Sequence, residues 1–184
     1  ITFFGKYLPL QGAELALGTV LFIFSYSAAL LYEHATKGIA NEFFINVGSI
    51  GSYDLEFGWV VDGLSIMMYF VVGTVSSLVF TYATNYMQGE IRYTFFFTSL
   101  TLFAGSMLVL VSSPTLLQLL IGWELVGVCS YLLIGHYWEK KENSSAAMKA
   151  FITNKIADVG LMIGIIVLAL STKTLRISEI LYQS

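Results

Sequence analysis

Three ionisable residues lie inside long apolar stretches of this 184-residue sequence. Glu124 lies about nine residues into one stretch, and Lys155 and Asp158 lie at a similar depth in the next. At about 1.5 Å per helical residue, that depth is near the middle of a hydrocarbon layer about 30 Å thick. Placing an ionised group there costs roughly 2.5–3.5 kcal/mol of free energy, even on the scales derived from membrane-insertion experiments, which give the lowest values. The three groups must therefore find partners, contact water or face the protein interior.

The spacing of these residues suggests how the charges are compensated. Lys155 and Asp158 are three residues apart, so they share a helix face and can pair. Glu124 then has no identified partner, and burial of a lone carboxylate favours its protonated form. The sequence thus predicts that Glu124 takes up and releases a proton, with Lys155 or Lys149 as the nearest cation. The structural alternative is an ion pair between Lys155 and Asp158, with Glu124 hydrogen-bonded to a neighbouring helix.

Three further residues are candidates for a proton relay, and each has a simpler interpretation. Asp62 lies near a predicted interface, where a hydrated or helix-capping role is favoured. Lys149 is close enough to the start of its span to reach the interface with its long side chain. His136 lies beside two aromatic residues at a membrane boundary, where an interfacial belt position is favoured.

The composition indicates an integral, multi-pass membrane protein. Hydrophobic residues make up 57% of the sequence, charged residues only 11%, and the mean hydropathy is +0.76. The net charge of −3 and the absence of a basic run do not favour a nucleic-acid partner. No His/Cys cluster has metal-ligand spacing and no Gly-rich loop follows a strand, so no metal, cofactor-binding or redox site is predicted. The single cysteine, Cys129, excludes a disulfide within the chain.

The predicted fold is an all-α membrane protein, a polytopic transmembrane helix bundle with a small extramembrane β-hairpin. The five predicted spans form a single membrane domain and cover about 15–32, 59–82, 93–111, 115–134 and 146–170. Two short alternating runs flank the Gly/Ser turn at 48–52 and predict the hairpin. Lys and Arg are divided four against three between the two sides, which weakly favours the hairpin outside. The sequence begins at Ile1 and its apolar segments approach both ends, so we expect a fragment without a signal peptide.

The stretch around Glu124 resembles a known signature. Two stretches are similar to the large antiporter-like subunit of respiratory complex I, NADH:quinone oxidoreductase (subunit 5, or subunit L in bacteria). The first is Gly122-Trp123-Glu124-Leu125-Val126-Gly127 with the following Cys129-Ser130-Tyr131, and the second is the segment 149–160. Asp62-Gly63-Leu64-Ser65 and Tyr86-Met87 fit the same pattern at the right distances. The chain departs from that pattern at Lys155, where the family more often has arginine, and at Ala157, where it often has glycine.

The resemblance implies a proton-translocating membrane-arm subunit in which Glu124 matches the key glutamate and Lys155 with Asp158 the charged pair that follows. It implies other membrane-arm subunits, the lipid bilayer and protons as partners, in a bacterial plasma membrane or mitochondrial inner membrane. NADH, FMN, iron–sulfur clusters and quinone would lie in other subunits. The family's central lysine is on a later helix, so these residues alone are not expected to pump. The alternatives are the large subunit of a multisubunit Na⁺/H⁺ antiporter and a non-transporting structural membrane subunit.

Overall fold

The computed structural model describes residues 12–38, 40–50 and 53–183. In chain order the elements are α1 (Ala13–Lys37), β1 (Asn41–Ile50), β2 (Tyr53–Val61), α2 (Gly63–Tyr86), α3 (Tyr93–Val111), α4 (Leu116–Ile134), α5 (Lys141–Thr172) and α6 (Ile177–Gln183). Helices α1 to α5 are each long and apolar enough to cross a membrane. The predicted helical membrane fold with a small antiparallel hairpin is confirmed.

Two helices begin four or five residues away from the predicted starts of their spans. The second span was expected from residue 59, but β2 continues to Val61 and α2 begins at Gly63, because Asp62 ends the strand and caps the helix. The fifth span was expected from residue 146 after a solvated loop, but α5 begins at Lys141. Lysine and glutamate favour helix, and they extend α5 beyond its apolar part. A helix of 32 residues is about 48 Å long, so it projects from a hydrocarbon layer of about 30 Å.

The hairpin between α1 and α2 is an antiparallel pair with an irregularity between Asn46 and Gly48. Phe43 lies opposite Trp59, and their rings stack with centroids 6.0 Å apart. Gly58 is needed at this position, since a β-carbon there would overlap the carbonyl oxygen of Phe43. The tight backbone approach leaves room only for a glycine.

The well-packed part of the bundle lies between α1, α2 and α3. Phe80 and Phe97 are fully buried there and meet edge to face, with ring centroids 6.1 Å apart. Helix α4 joins this core by approaching α3 closely, because a β-carbon on Gly122 would lie 2.8 Å from the Cα of Leu110. Gly122, next to the signature Trp–Glu pair, thus serves a helix crossing.

Helix α5 is the least covered of the five membrane helices. In it only Ala147 and Asp158 are buried. Gly160 and Gly164, which have the spacing of a helix-packing motif, face open space in the described structure. Helix α5 therefore packs on α4 through one narrow face, and that face carries the charged residues.

Candidate functional site

The short connection between α4 and α5 places Glu124 and Lys155 against each other. The Lys155 ammonium contacts the Oε2 of Glu124 and lies 3.2 Å from the Oδ2 of Asp158. Glu124, for which spacing along the chain identified no partner, thus contacts Lys155, one of the two cations expected nearest to it, and Lys155 also remains in contact with Asp158. A single cation bridges two carboxylates that belong to different helices, because α4 is rotated so that Glu124 faces α5.

The three charged side chains differ in burial. The Asp158 side chain is 7% exposed, whereas those of Lys155 and Glu124 are 32% and 34% exposed. Lys155 also lies over the ring of Phe151, 5.4 Å from its centroid, where a cation is attracted to the ring face. Asp158 is the inner end of the triad, and Glu124 and Lys155 form its outer part.

Trp123 supplies a contact that sequence reasoning missed. Its indole Nε1 donates a hydrogen bond of 2.8 Å to the Oδ1 of Asp158, so α4 contributes two neighbouring residues to the charged group on α5. An indole N–H at this depth needs an acceptor, because there is no water in the bilayer core to satisfy it. The sequence could therefore have predicted that the Trp123 N–H has an acceptor, but not that the acceptor is Asp158.

A cavity of about 200 Å³ lies beside Asp158, between α3, α4 and α5. Its walls include the polar residues Asp158, Asn154 and Ser130 together with apolar side chains from all three helices. The volume is enough for several water molecules. Glu124 and Lys155 are not among the described lining residues, so the triad reaches this cavity through Asp158.

The predicted relay residues lie apart from the triad. The Asp62 Oδ1 accepts a hydrogen bond of 2.7 Å from the Ser65 backbone N–H, which is the geometry of a helix N-cap. Lys149 is exposed on the face of α5 that also presents Ile152 and Ile156, away from the face of Lys155. Neither residue is brought to Glu124.

His136 is buried at the far end of α4, about 18 Å along the helix from Glu124. It is 5% exposed and packs against the rings of Phe95, Phe96 and Tyr137. Its Nδ1 has no hydrogen-bond partner among the described residues. Burial, and then the charge of Arg92, lower the pKa of His136, while Glu90 opposes them. The imidazole is therefore neutral at neutral pH.

Arg92 holds the connection that follows His136. Its Nη1 donates 2.6 Å to the His136 carbonyl oxygen, and its guanidinium pairs with Glu139 and lies 5.2 Å from the Trp138 ring centroid. The α2–α3 connection is thereby tied to the α4–α5 connection. This contact was not predicted from the sequence.

The opposite side of the bundle carries a second ion pair that the sequence did not reveal. The Arg176 guanidinium donates two hydrogen bonds of 2.5 and 2.6 Å to the buried Glu56 carboxylate, and its Cζ lies 4.6 Å from the Phe44 ring centroid. The hydrogen bonds from Arg176 hold the pKa of Glu56 below its ordinary value against the opposing effect of burial. The hairpin is thus bound to the segment after α5.

Hydrogen bonds to the backbone reinforce the same region. The Gln118 amide donates 2.9 Å to the Gly58 carbonyl and accepts 2.9 Å from the Gly58 N–H. The Leu116 N–H donates to the Leu175 carbonyl, and the Ile177 N–H donates to the Pro114 carbonyl. The start of α4 is therefore bound to the hairpin and also to the segment that follows α5.

Two family models match the chain. One is described as NADH:quinone oxidoreductase/Mrp antiporter, TM, and matches residues 113–184. The other is described as NADH-ubiquinone oxidoreductase (complex I), chain 5 N-terminus, and matches residues 48–97. All four stretches that carry the resemblance, 62–65, 86–87, 122–131 and 149–160, lie within the matched regions.

Curated relatives carry related names. NAD(P)H-quinone oxidoreductase chain 5 of Synechocystis is 45% identical over 140 residues, which cover 76% of this chain and 21% of that protein. Chloroplastic subunit 5 of Zygnema circumcarinatum is 40% identical over 167 residues, covering 91% of this chain and 24% of the relative. The chain therefore spans roughly a quarter or less of these relatives' length.

Solved structures show the same fold. A chain of the archaeal membrane-bound sulfane sulfur reductase, a respiratory membrane complex, superposes with a TM-score of 0.79 at 14% identity over 96% of this chain and 35% of that chain. A chain of the Mrp complex from Dietzia has a TM-score of 0.69 at 20% identity over 91% of this chain and 20% of that one. At these identities the likeness shows the fold alone.

Proposed function

The chain belongs to the subunit 5 family of NAD(P)H-quinone oxidoreductases and corresponds to its N-terminal part, and from that premise we propose that it forms part of a proton path coupling quinone reduction to proton transfer. Its membrane helices and the family to which it belongs identify an integral, multi-pass membrane protein. The relatives are subunits of an oxidoreductase complex. That this chain takes part in proton translocation is what we propose.

The observation that supports the proposal is the position of Lys155 between two carboxylates. A cation that moves from about 4 to about 8 Å from a carboxylate weakens their interaction by about 2 kcal/mol at an effective dielectric near 20. That change alters the protonation equilibrium of the carboxylate roughly thirtyfold. When Lys155 moves towards Asp158, Glu124 gains a proton; when it returns, Glu124 releases the proton.

The source of energy lies outside this chain in the proposal. We expect NADH oxidation by FMN and iron–sulfur clusters, and quinone reduction, to occur in other subunits of the complex. The subunit would sit beside other antiporter-like membrane-arm subunits. The relatives and structural neighbours are parts of multisubunit membrane complexes, which supports this arrangement. The path would continue through residues on later helices of the longer subunit.

The test is Glu124→Gln in the full-length subunit of the assembled complex. The amide keeps the size of the side chain but cannot release a proton, so protons translocated per electron should fall severalfold. The matched control is Glu142→Gln, an exposed carboxylate in the first turn of α5, which should leave the ratio unchanged. Proton uptake by vesicles and NADH–quinone electron transfer are measured on the same preparation, with assembly checked by native electrophoresis.

Two results would reject the proposal in different ways. A Glu124→Gln complex that assembles and translocates protons at the wild-type ratio would make Glu124 a packing residue. Loss of assembly, with the control intact, would support the structural alternative in which the charges hold α4 to α5. The antiporter alternative is not favoured, because the curated relatives are quinone oxidoreductase subunits.

A further inference from the structure

Asp158 receives two donors from different directions. The Trp123 indole N–H donates to Oδ1, and the Lys155 ammonium lies 3.2 Å from Oδ2. We infer that Trp123 is a positioning residue that fixes the Asp158 carboxylate, so that Lys155, and not Asp158, is the part of the triad that moves. The inference rests on the proposed proton-transfer function of Glu124.

The geometry explains why the indole matters. The indole hydrogen bond to Oδ1 fixes the rotation of the Asp158 carboxylate, so that Oδ2 is the oxygen turned towards Lys155. Without that bond the carboxylate can turn and offer both oxygens to the ammonium, which strengthens its hold on Lys155. Glu124 then loses its cation for most of the time. Trp123 thereby keeps Lys155 available to both carboxylates.

The burial pattern agrees with this division of roles. Asp158 is nearly inaccessible, while Lys155 is about one-third exposed and carries a flexible four-carbon stem. No charged residue occurs in α3, which packs against α4, so no charge on that helix competes for the indole or the ammonium. The charges described around Asp158 are those of Lys155 and Glu124.

The experiment replaces the N–H without changing the packing. In the full-length subunit of the assembled complex, Trp123 is exchanged for benzothienylalanine, an isostere of tryptophan in which sulfur replaces the indole N–H. Trp123→Phe is the simpler second variant, and Trp59→Phe on the exposed hairpin face is the control. Protons translocated per electron are measured beside Glu124→Gln and Asp158→Asn.

A lost hydrogen bond to a charged group corresponds to roughly a tenfold or larger shift in an equilibrium. We therefore expect the isostere to lower the protons translocated per electron severalfold, and Trp59→Phe to leave that ratio unchanged. In an Asp158→Asn background the isostere should add no further loss, because its effect passes through the carboxylate.

Each other outcome counts against the inference. A wild-type ratio with the isostere, while Glu124→Gln lowers it, would remove the role of Trp123 and leave the proposed function intact. A wild-type ratio with both variants would reject the proposed function as well. Losses that add in the Asp158→Asn background would show that Trp123 acts elsewhere. A failure to assemble with the isostere, when Asp158→Asn assembles, would make Trp123 a packing residue.

Discussion

At the scale of single residues, the arrangement around Lys155 shows how two neighbouring membrane helices can carry three ionisable groups between them. Each charge has a partner of opposite sign: Lys155 lies between Glu124 and Asp158. The two acids outnumber the base, so the group has a formal charge of −1 when all three are ionised. A proton on one carboxylate makes the triad neutral, which suits a group that exchanges protons within a low-dielectric layer.

Asp158→Asn tests the inner end of the triad. The amide can still accept from the Trp123 indole at Oδ1, but it no longer attracts Lys155 as an anion. The ammonium should then remain with Glu124 and stabilise its ionised form, so protons translocated per electron should fall severalfold while the complex assembles. Asp54→Asn, an exposed carboxylate on the hairpin, is the control. An unchanged ratio would mean that Asp158 serves only to pack α5 against α4.

His136→Phe separates the belt and relay interpretations of that residue. Phenylalanine fills the pocket formed by Phe95, Phe96 and Tyr137 without a buried, unpartnered nitrogen. We expect local stability to stay constant or rise by about 1 kcal/mol, and proton translocation to stay normal. A severalfold loss of translocation in a stably assembled complex would instead support a relay role.

The same substitution should change the response to pH. The pKa of His136 is lowered in the fold, because the buried imidazole resists protonation. The folded state therefore keeps its full stability above the ordinary histidine pKa of about 6.5, and it loses stability as the pH falls from there through the lowered pKa. Protection of the backbone amides at 136–140 against hydrogen exchange, measured relative to the intrinsic exchange rate at each pH, should therefore fall on acidification in the wild type. The His136→Phe variant should keep its protection over the same pH range.

At the scale of elements, the hairpin is held by its contacts with the ends of α4 and α5. Glu56 of β2 binds Arg176, and Gly58 of the same strand binds the Gln118 amide. A two-stranded hairpin is marginally stable by itself in water. Its order therefore depends on these tertiary contacts.

Glu56→Gln should loosen the hairpin. The neutral amide loses the charged, two-pronged contact with Arg176, which is worth about 1–2 kcal/mol after allowance for the partial exposure of the guanidinium. Hydrogen exchange of β1 and β2 amides should then accelerate roughly tenfold. In the wild type the pKa of Glu56 is lowered, so this stabilisation is present above the ordinary glutamate value and is lost as the pH falls through the lowered pKa. Glu42→Gln, on the exposed edge of β1, should change little.

The helices and the hairpin were predictable because their signals are local. A run of apolar residues fixes a span, and Gly/Ser between two alternating runs fixes a turn. The partner of Glu124 depends instead on how α4 and α5 are rotated about their axes, which no short pattern in either segment encodes. Arg176 and Glu56 are 120 residues apart, and their contact depends on the four membrane helices between them, which return the chain to the same side. The start of α2 was misplaced because Trp59, Val60 and Val61 suit a strand and a membrane helix equally.

At the scale of the whole molecule, the connections divide between two sides of the membrane. The hairpin, the α3–α4 turn and the segment after α5 share one side, as their mutual hydrogen bonds show. The α2–α3 and α4–α5 connections share the other, joined through Arg92. Which side faces the cytoplasm remains a prediction, with the hairpin outside.

Single cysteines can test that orientation. Ser49→Cys on the hairpin and Lys141→Cys at the start of α5 are both exposed and lie on opposite sides. The native Cys129 is fully buried, so background labelling should be low. We expect a membrane-impermeant maleimide to label position 49, and not position 141, in intact cells, with position 141 reacting after permeabilisation. The reverse pattern would show that the hairpin is cytoplasmic.

The contacts at both ends of α4 and α5 affect how fast the charged group between them can rearrange. On the hairpin side, backbone hydrogen bonds join the start of α4 to the segment that follows α5; on the other side, the short connection braced by Arg92 joins the two helices. Helices held in this way resist the hinge and shear motions that take microseconds to milliseconds, whereas a lysine side chain changes rotamer in picoseconds to nanoseconds when it is not trapped. The transfer of Lys155 between its carboxylates would then need only a side-chain rearrangement and no movement of a helix, so it would be faster than those hinge and shear motions. The rate of the complex would be set by slower events elsewhere, and a variant of the triad should alter how many protons accompany each electron more than how fast electrons flow.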